Sequence, residues 1–164
     1  MSSVGHLARR FFLSLWPVGP SAESEVWAQG HLLSGEVVLW ERMSGADRRH
    51  AVAVARRVES VLGEPGRPVL AAALLHDVGK VDSGLGTLTR VVATLAGLVG
   101  GRRARASEGR IGRYLRHPRI GADLLAEAGS DCLTVAWAAE HHLAAQYWTV
   151  NLTVAGVLQA SDND

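Results

Sequence analysis

The sequence predicts an all-α fold, a helical bundle, and three observations carry the prediction. Almost every segment after Pro20 has an identifiable helix start. From Asp47 to Leu62 the apolar residues Val54, Val58, Val61 and Leu62 recur at three- and four-residue spacing, with Ala51 and Ala55 on the same side. From Val69 to Leu75 there is no charge at all, and a helix apolar on every side is a buried, central one. The length of 164 residues is that of one domain, large enough to bury about two thirds of its unfolded surface around one core. We expect an arm or docking helix over residues 1–20, then a single helical domain over residues 21–164 that includes extra N-terminal helices.

Composition limits the function classes. Lys and Arg number 17 against 16 Asp and Glu, so the overall charge gives no argument for a nucleic-acid or membrane partner. Cys132 is the single cysteine; no internal disulfide can form, and a cytoplasmic, reducing location is expected. It is expected to be a small core residue. Near the start, Arg9-Arg10 precede Phe11-Phe12-Leu13-Ser14-Leu15-Trp16, but this apolar run stops at Pro17, short of the ~7–15 residues of a secretory core. The run from Val91 to Gly100 is far below the ~20 residues needed to span a bilayer, and no membrane span is expected. Trp16, Trp27 and Trp40 either close the bundle core or dock a partner.

In chain order, Ser21 precedes Glu23 and Glu25, acidic residues suited to the positive end of a helix dipole. Ser34-Gly35-Glu36 opens a short segment through Met43 that is helix or strand, with length favouring helix slightly. Ser44 and Asp47 have capping-box spacing and start the helix that ends at Gly63 and Pro65, placing His50 in its first turn. Pro68 suits the first turn of the apolar helix, at whose end stand His76 and Asp77, with Gly79 as the break. Burying that pair without partners costs several kcal/mol, roughly. Hydrogen bonding within a core or binding to a cation would each meet the cost.

A glycine-rich loop from Asp82 to Gly86 leads to an apolar helix from Leu88 to Val99, capped by Thr87. A basic loop, Gly100-Gly101-Arg102-Arg103-Ala104-Arg105, follows. Seven of the sixteen arginines fall between residues 102 and 119, either as a solvated face or as a collar for phosphate, which guanidinium binds in bidentate geometry. Ser107-Glu108 starts a short helix to Arg116. His117-Pro118 opens the next, with Ile120, Leu124 and Leu125 inward and Gly129 closing it. Ser130-Asp131 caps a helix that leads to Glu140-His141-His142. Adjacent histidines point about 100° apart, so they serve two metal positions, or one faces metal and the other substrate. The last helix runs from about Val150 to Ser161, with Asp162 at its end. No phosphate-cradling glycine loop and no serine in a nucleophile elbow occurs.

The ordered set His50, His76-Asp77, His117, His141-His142 and Asp162 places each member at or near a helix end. It resembles the HD superfamily of metal-dependent phosphohydrolases, over roughly residues 46–164. His76-Asp77-Val78-Gly79-Lys80, His117-Pro118 through Gly121-Ala122, and His141-His142 look most like the HD-GYP branch. That branch continues with an acidic residue and an Asp-Gly-x-Gly-Tyr-Pro stretch, where this chain reads Leu143-Ala144-Ala145-Gln146-Tyr147-Trp148. The resemblance implies an HD-type bundle in which His50, His76, Asp77 and Asp162 bind a first divalent metal, and His117, His141 and His142 complete a two-metal site. Lys80 is the sole lysine, a chance surface residue or an ammonium wanted for a phosphate or a metal-bound water.

Imidazole and carboxylate ligands suit iron, manganese, zinc or nickel better than magnesium. Such an ion lowers the pKa of bound water toward ~7, so one or two metals would activate hydroxide against a phosphomonoester or phosphodiester. His117, when not a ligand, would donate a proton to the leaving group. Lys80 and His117 are thus the expected catalytic side chains, and Arg102, Arg103 and Arg105 the expected phosphate contacts. The expected partner is a phosphorylated small molecule or nucleotide, with no nucleic acid, and a homodimer is compatible with the sequence. The competing expectation is a non-catalytic, HD-related regulatory or ligand-binding module.

Overall fold

A computed structural model describes residues 18–83 and 109–163. Its helices are α1 (Ala22–Gln29), α2 (Ser34–Arg42), α3 (Gly45–Leu62), α4 (Arg67–Leu75), α5 (Arg110–Leu115), α6 (His117–Glu127), α7 (Cys132–Glu140) and α8 (Leu152–Asn163). Short 3-10 turns cover Val78–Ser83 and Ala145–Tyr147. No strand occurs among the described residues, and no helix there is long and apolar enough to cross a membrane. The expected helix from Leu88 to Val99, the loop with Arg102, Arg103 and Arg105, the start at Ser107-Glu108 and residues 1–17 of the arm lie outside the described residues.

The fold is an all-α bundle arranged around α4. Residues Leu70 to Leu75 of α4 are all buried, as the uncharged run predicts. Each fully buried leucine there contributes on the order of 2 kcal/mol of hydrophobic stabilisation. Helix α4 packs between α3 and α7, α7 packs on α6, α8 lies on α3, and the turn Val78–Ser83 packs against α5 and α6. Ala51, Val54, Ala55 and Val58 form the inner face of α3. Val61 departs from expectation and is exposed, because the last turn of α3 stands beside an open groove against α8.

Local chemistry sets the helix ends. Ser44 accepts from Asp47 N at 3.1 Å and donates to its carboxylate at 2.6 Å, which starts α3 at Gly45 and places His50 in its second turn, one turn later than expected. The segment after Leu33 is a helix. Glu36, fully buried, accepts from Leu33 N at 2.7 Å and from Arg67 at 3.2 Å, so one carboxylate caps α2 and ties it to the start of α4. Asn151 accepts from Thr153 N and Val154 N, so α8 begins at Leu152 and extends to Asn163; Asp162 lies within its last turn.

Two expectations are corrected by packing. Cys132 is exposed, because it follows the capping Asp131 at the outer start of α7. Gly79 does not simply break α4: a Cβ there would meet His117 O at 2.0 Å and Gly121 N at 2.6 Å. Only a residue without a side chain lets the turn after Asp77 press against the start of α6. Trp40 is fully buried, and Trp27 packs on the core with Arg56 stacked 3.6 Å over its ring. Both help to close the bundle.

Candidate metal centre

Three of the histidines are held by one device. His76 follows α4, His117 follows α5 and His141 follows α7, so each stands where a helix has run out of amide donors for its last carbonyls. Their Nδ1 atoms donate to Ala73 O at 2.9 Å, Tyr114 O at 2.7 Å and Ala138 O at 3.0 Å, three residues back in each case. A carbonyl can only accept, so Nδ1 carries a proton, and Nε2 presents a lone pair whenever the ring is neutral. Such outer hydrogen bonds fix the tautomer and orientation of metal-ligating histidines.

The three Nε2 atoms converge on Asp77. Its Oδ1 lies 3.3 Å from His117 Nε2 and 3.7 Å from His141 Nε2, while Oδ2 lies 3.5 Å from His76 Nε2. His76 Nε2, Asp77 Oδ1, His117 Nε2 and His141 Nε2 are all buried and none has a hydrogen-bond partner. Leaving one such atom unsatisfied costs about 1–3 kcal/mol, so four facing one another call for a shared cation. Two donors at ~2.1 Å from one ion stand ~3.0–3.4 Å apart, close to the separations found. The donor set therefore fits a divalent ion.

Two groups form around that carboxylate. One comprises His50, His76 and Asp77, the other Asp77, His117, His141 and His142, and within each the ligand atoms lie within 4.8 Å of one another. Asp162 joins the first, with Oδ1 2.8 Å from His50 Nε2 and 3.6 Å from His76 Nε2. The adjacent His141 and His142, their ring centroids 4.0 Å apart, belong to the second group together.

The charges are consistent with a site built for cations. Burial by itself pulls the His76 imidazole down, but the Asp77 and Asp162 carboxylates outweigh it and push His76 up to about 10. Burial raises both carboxyls and is likewise overridden, at Asp77 by Lys80 and His76 and at Asp162 by His50 and His76, so both lie well below the usual carboxylate range. His117 and the partly open His142 are held below the ordinary histidine range, chiefly by burial. The Lys80 ammonium pairs with Asp77 Oδ2. Burial lowers Lys80, and Asp77 with Tyr114 and Asp47 more than reverses this, so it is a cation at neutral pH and no proton acceptor.

Every described residue expected at the site is thus in one cluster, while Arg102, Arg103 and Arg105 lie outside the described residues. Sequence reasoning missed the supporting groups. The Ala73, Tyr114 and Ala138 carbonyls had one available signal, the three-residue step back from a histidine at a helix end. Glu140 was read only as a neighbour of the histidines. It is buried and accepts from Thr149 N at 2.7 Å, Thr149 Oγ1 at 2.6 Å and Val150 N at 3.5 Å, anchoring the segment that leads from His142 to α8.

An all-helical bundle with a His/Asp centre at the ends of its helices is the architecture of a metal-binding helical domain. A family model described as the HD domain matches residues 48–163, a span that contains every member of both groups. The chain belongs to the HD domain family, whose members are typically metal-dependent phosphohydrolases. No curated protein and no solved structure matches the chain.

Proposed function

We propose that the protein is a metal-dependent phosphohydrolase that cleaves a phosphomonoester or phosphodiester of a phosphorylated small molecule, probed first with nucleotides. The observation that carries this reading is the convergence of four buried, unpartnered donor atoms on the space around Asp77. His50, His76, Asp77 and Asp162 are assigned to one cation, and Asp77, His117, His141 and His142 to a second, with Asp77 shared. Iron, manganese, zinc and nickel suit these ligands. When bound, such an ion supplies Lewis acidity, bringing the pKa of water at the site toward ~7 and offsetting charge on the phosphoryl oxygens.

The chain's own residues do the rest. Burial keeps His117 neutral, and its Nδ1 proton is committed to Tyr114 O, so it serves as a ligand and not as the proton donor. Lys80, fixed as a cation beside Asp77, is placed to attract a phosphoryl oxygen. Arg102, Arg103 and Arg105 are assigned to the phosphate on chemistry alone. By residue pattern the chain is grouped with HD-GYP-like members, without their Gly-Tyr-Pro stretch, and its single cysteine suits the cytoplasm.

One observation favours a second reading, a non-catalytic regulatory module: Lys80 already neutralises Asp77 Oδ2 with the chain's own charge. The two are separated by assaying nucleotides and simple phosphate esters with chelator-treated protein, before and after adding Mn2+, Fe2+, Zn2+ or Ni2+. The phosphohydrolase reading expects turnover only after metal is restored. Tight metal binding with no turnover of any ester supports the module.

A further inference from the structure

With His117 committed as a ligand and Lys80 to a phosphoryl oxygen, the oxygen that leaves phosphorus still needs a partner. Negative charge develops on it as the P–O bond breaks, and a donor fixed beside it has its largest effect at that moment. Tyr114 carries a hydroxyl, a hydrogen-bond donor with no part in holding the cations.

Tyr114 stands in the last turn of α5, and its backbone carbonyl accepts from His117 Nδ1 at 2.7 Å. Its ring lies against the His117 ring, with centroids 5.6 Å apart and planes tilted by 31°. The turn that carries Lys80 packs against α5, and the Tyr114 phenol is close enough to the Lys80 ammonium to act on its charge. The side chain therefore reaches from His117, whose Nε2 faces Asp77 Oδ1 at 3.3 Å, toward Lys80, which pairs with Asp77 Oδ2. His117 and Asp77 are buried, whereas Tyr114 is part-buried, so the phenol stands at the rim of the centre and not in its floor. Packing against His117 would be served equally well by phenylalanine. What phenylalanine lacks is the hydroxyl, held between a metal-ligand histidine and the sole lysine of the chain.

We infer that Tyr114 is a further catalytic residue, whose hydroxyl donates a hydrogen bond to the oxygen that leaves phosphorus. The inference rests on the phosphohydrolase reading above. In that step a water oxygen bonds to phosphorus, and the bond from phosphorus to the leaving oxygen breaks with its electron pair going to that oxygen. One proton of the water completes the leaving alcohol and the other stays with the phosphate. Tyr114 keeps its own proton throughout and steadies the charge until the leaving oxygen is protonated.

Tyr114→Phe tests it, because the ring and the backbone carbonyl that hold His117 are both kept. The full chain is treated with chelator and loaded with whichever of Mn2+, Fe2+, Zn2+ or Ni2+ supports turnover. Of phenyl phosphate, nucleoside monophosphates and dinucleoside phosphates, the ester turned over fastest is compared with its analogue that carries sulfur in place of the leaving oxygen. Sulfur accepts hydrogen bonds only weakly. The expected result is a fall in kcat of roughly tenfold or more for the oxygen ester and of about threefold or less for the sulfur ester, with Mn2+ affinity by isothermal titration unchanged. Equal falls for the two esters, no fall for either, or weaker Mn2+ binding overturn the inference and leave the phosphohydrolase reading standing. A wild-type chain that turns over no ester with any of the four metals overturns that reading and this inference with it.

Discussion

Nε2 of His50 lies 2.8 Å from Oδ1 of Asp162, joining residues 112 positions apart. The contact closes the bundle, because it brings the beginning of α3 to the end of α8 on the same side as His76 and Asp77. A side chain near the end of the last helix is thereby made part of the centre.

Replacing Asp162 with alanine is expected to lower metal affinity in that group by more than the ~10–100-fold seen when an outer support is lost. Isothermal titration with Mn2+ measures this directly. The second group, which does not use Asp162, is expected to keep its affinity.

Gly79→Ala introduces a methyl where His117 O would stand 2.0 Å away. The turn after Asp77 and the start of α6 must then separate, at a cost of about 1–3 kcal/mol. A lower Tm together with weaker metal binding at His117 and His141 is the expected pair of changes. An unaltered Tm would show that the two segments can part without strain.

These two residues also mark what the sequence made legible. His50, His76-Asp77, His117, His141-His142 and Asp162 were readable because each is a metal-ligand type set at a helix end, and the burial of α4 was readable from an uncharged run. The need for glycine at 79 was not, since it comes from the approach of His117 O and Gly121 N across the bundle. The role of Asp77 between two groups of histidines was also hidden, because spacing along a chain does not say which carboxylate oxygen faces which ring. The burial of Glu140 and Glu36 was not legible either: Glu140 is met by the Thr149 amide nine residues on, and Glu36 by the Leu33 amide that starts its own helix and by Arg67 from the next one. Cys132 shows the opposite error, a residue type usually buried that its place at a helix start leaves exposed.

Lys80→Met is expected to separate binding from turnover. Removing the ammonium from Asp77 Oδ2 takes away a competitor for the carboxylate, so metal affinity is retained or increased. Loss of a preorganised cation at the phosphoryl group is expected to lower kcat on the order of 100-fold. Equal falls in affinity and kcat would place Lys80 in support of the fold instead.

The pH dependence of the metal-free protein follows from His76. Its folded pKa of about 10 lies above the unfolded value of ~6.5, so its contribution to stability is complete below ~6.5 and is lost as the pH rises through about 10. Asp77 and Asp162 are shifted down, so their contributions are present above ~3.9 and are lost as the pH falls. His117 and His142 are shifted down and so disfavour the fold as the pH falls below ~6.5. Chelator-treated protein is therefore expected to be most stable at about pH 6.5, and its Tm to decline toward both pH 4 and pH 9. Metal ligation needs the deprotonated ring, so the stabilisation gained from added Mn2+ is expected to grow over that same alkaline range.

The most direct test of the central claim is the metal content of the purified full chain beside its His76→Ala/Asp77→Ala variant, by inductively coupled plasma mass spectrometry after reconstitution with Mn2+, Fe2+, Zn2+ or Ni2+. The account predicts one to two equivalents of a transition metal in the wild type and none in the variant, with both proteins helical by circular dichroism. A wild-type chain without metal, or a variant that retains the full complement, would contradict it.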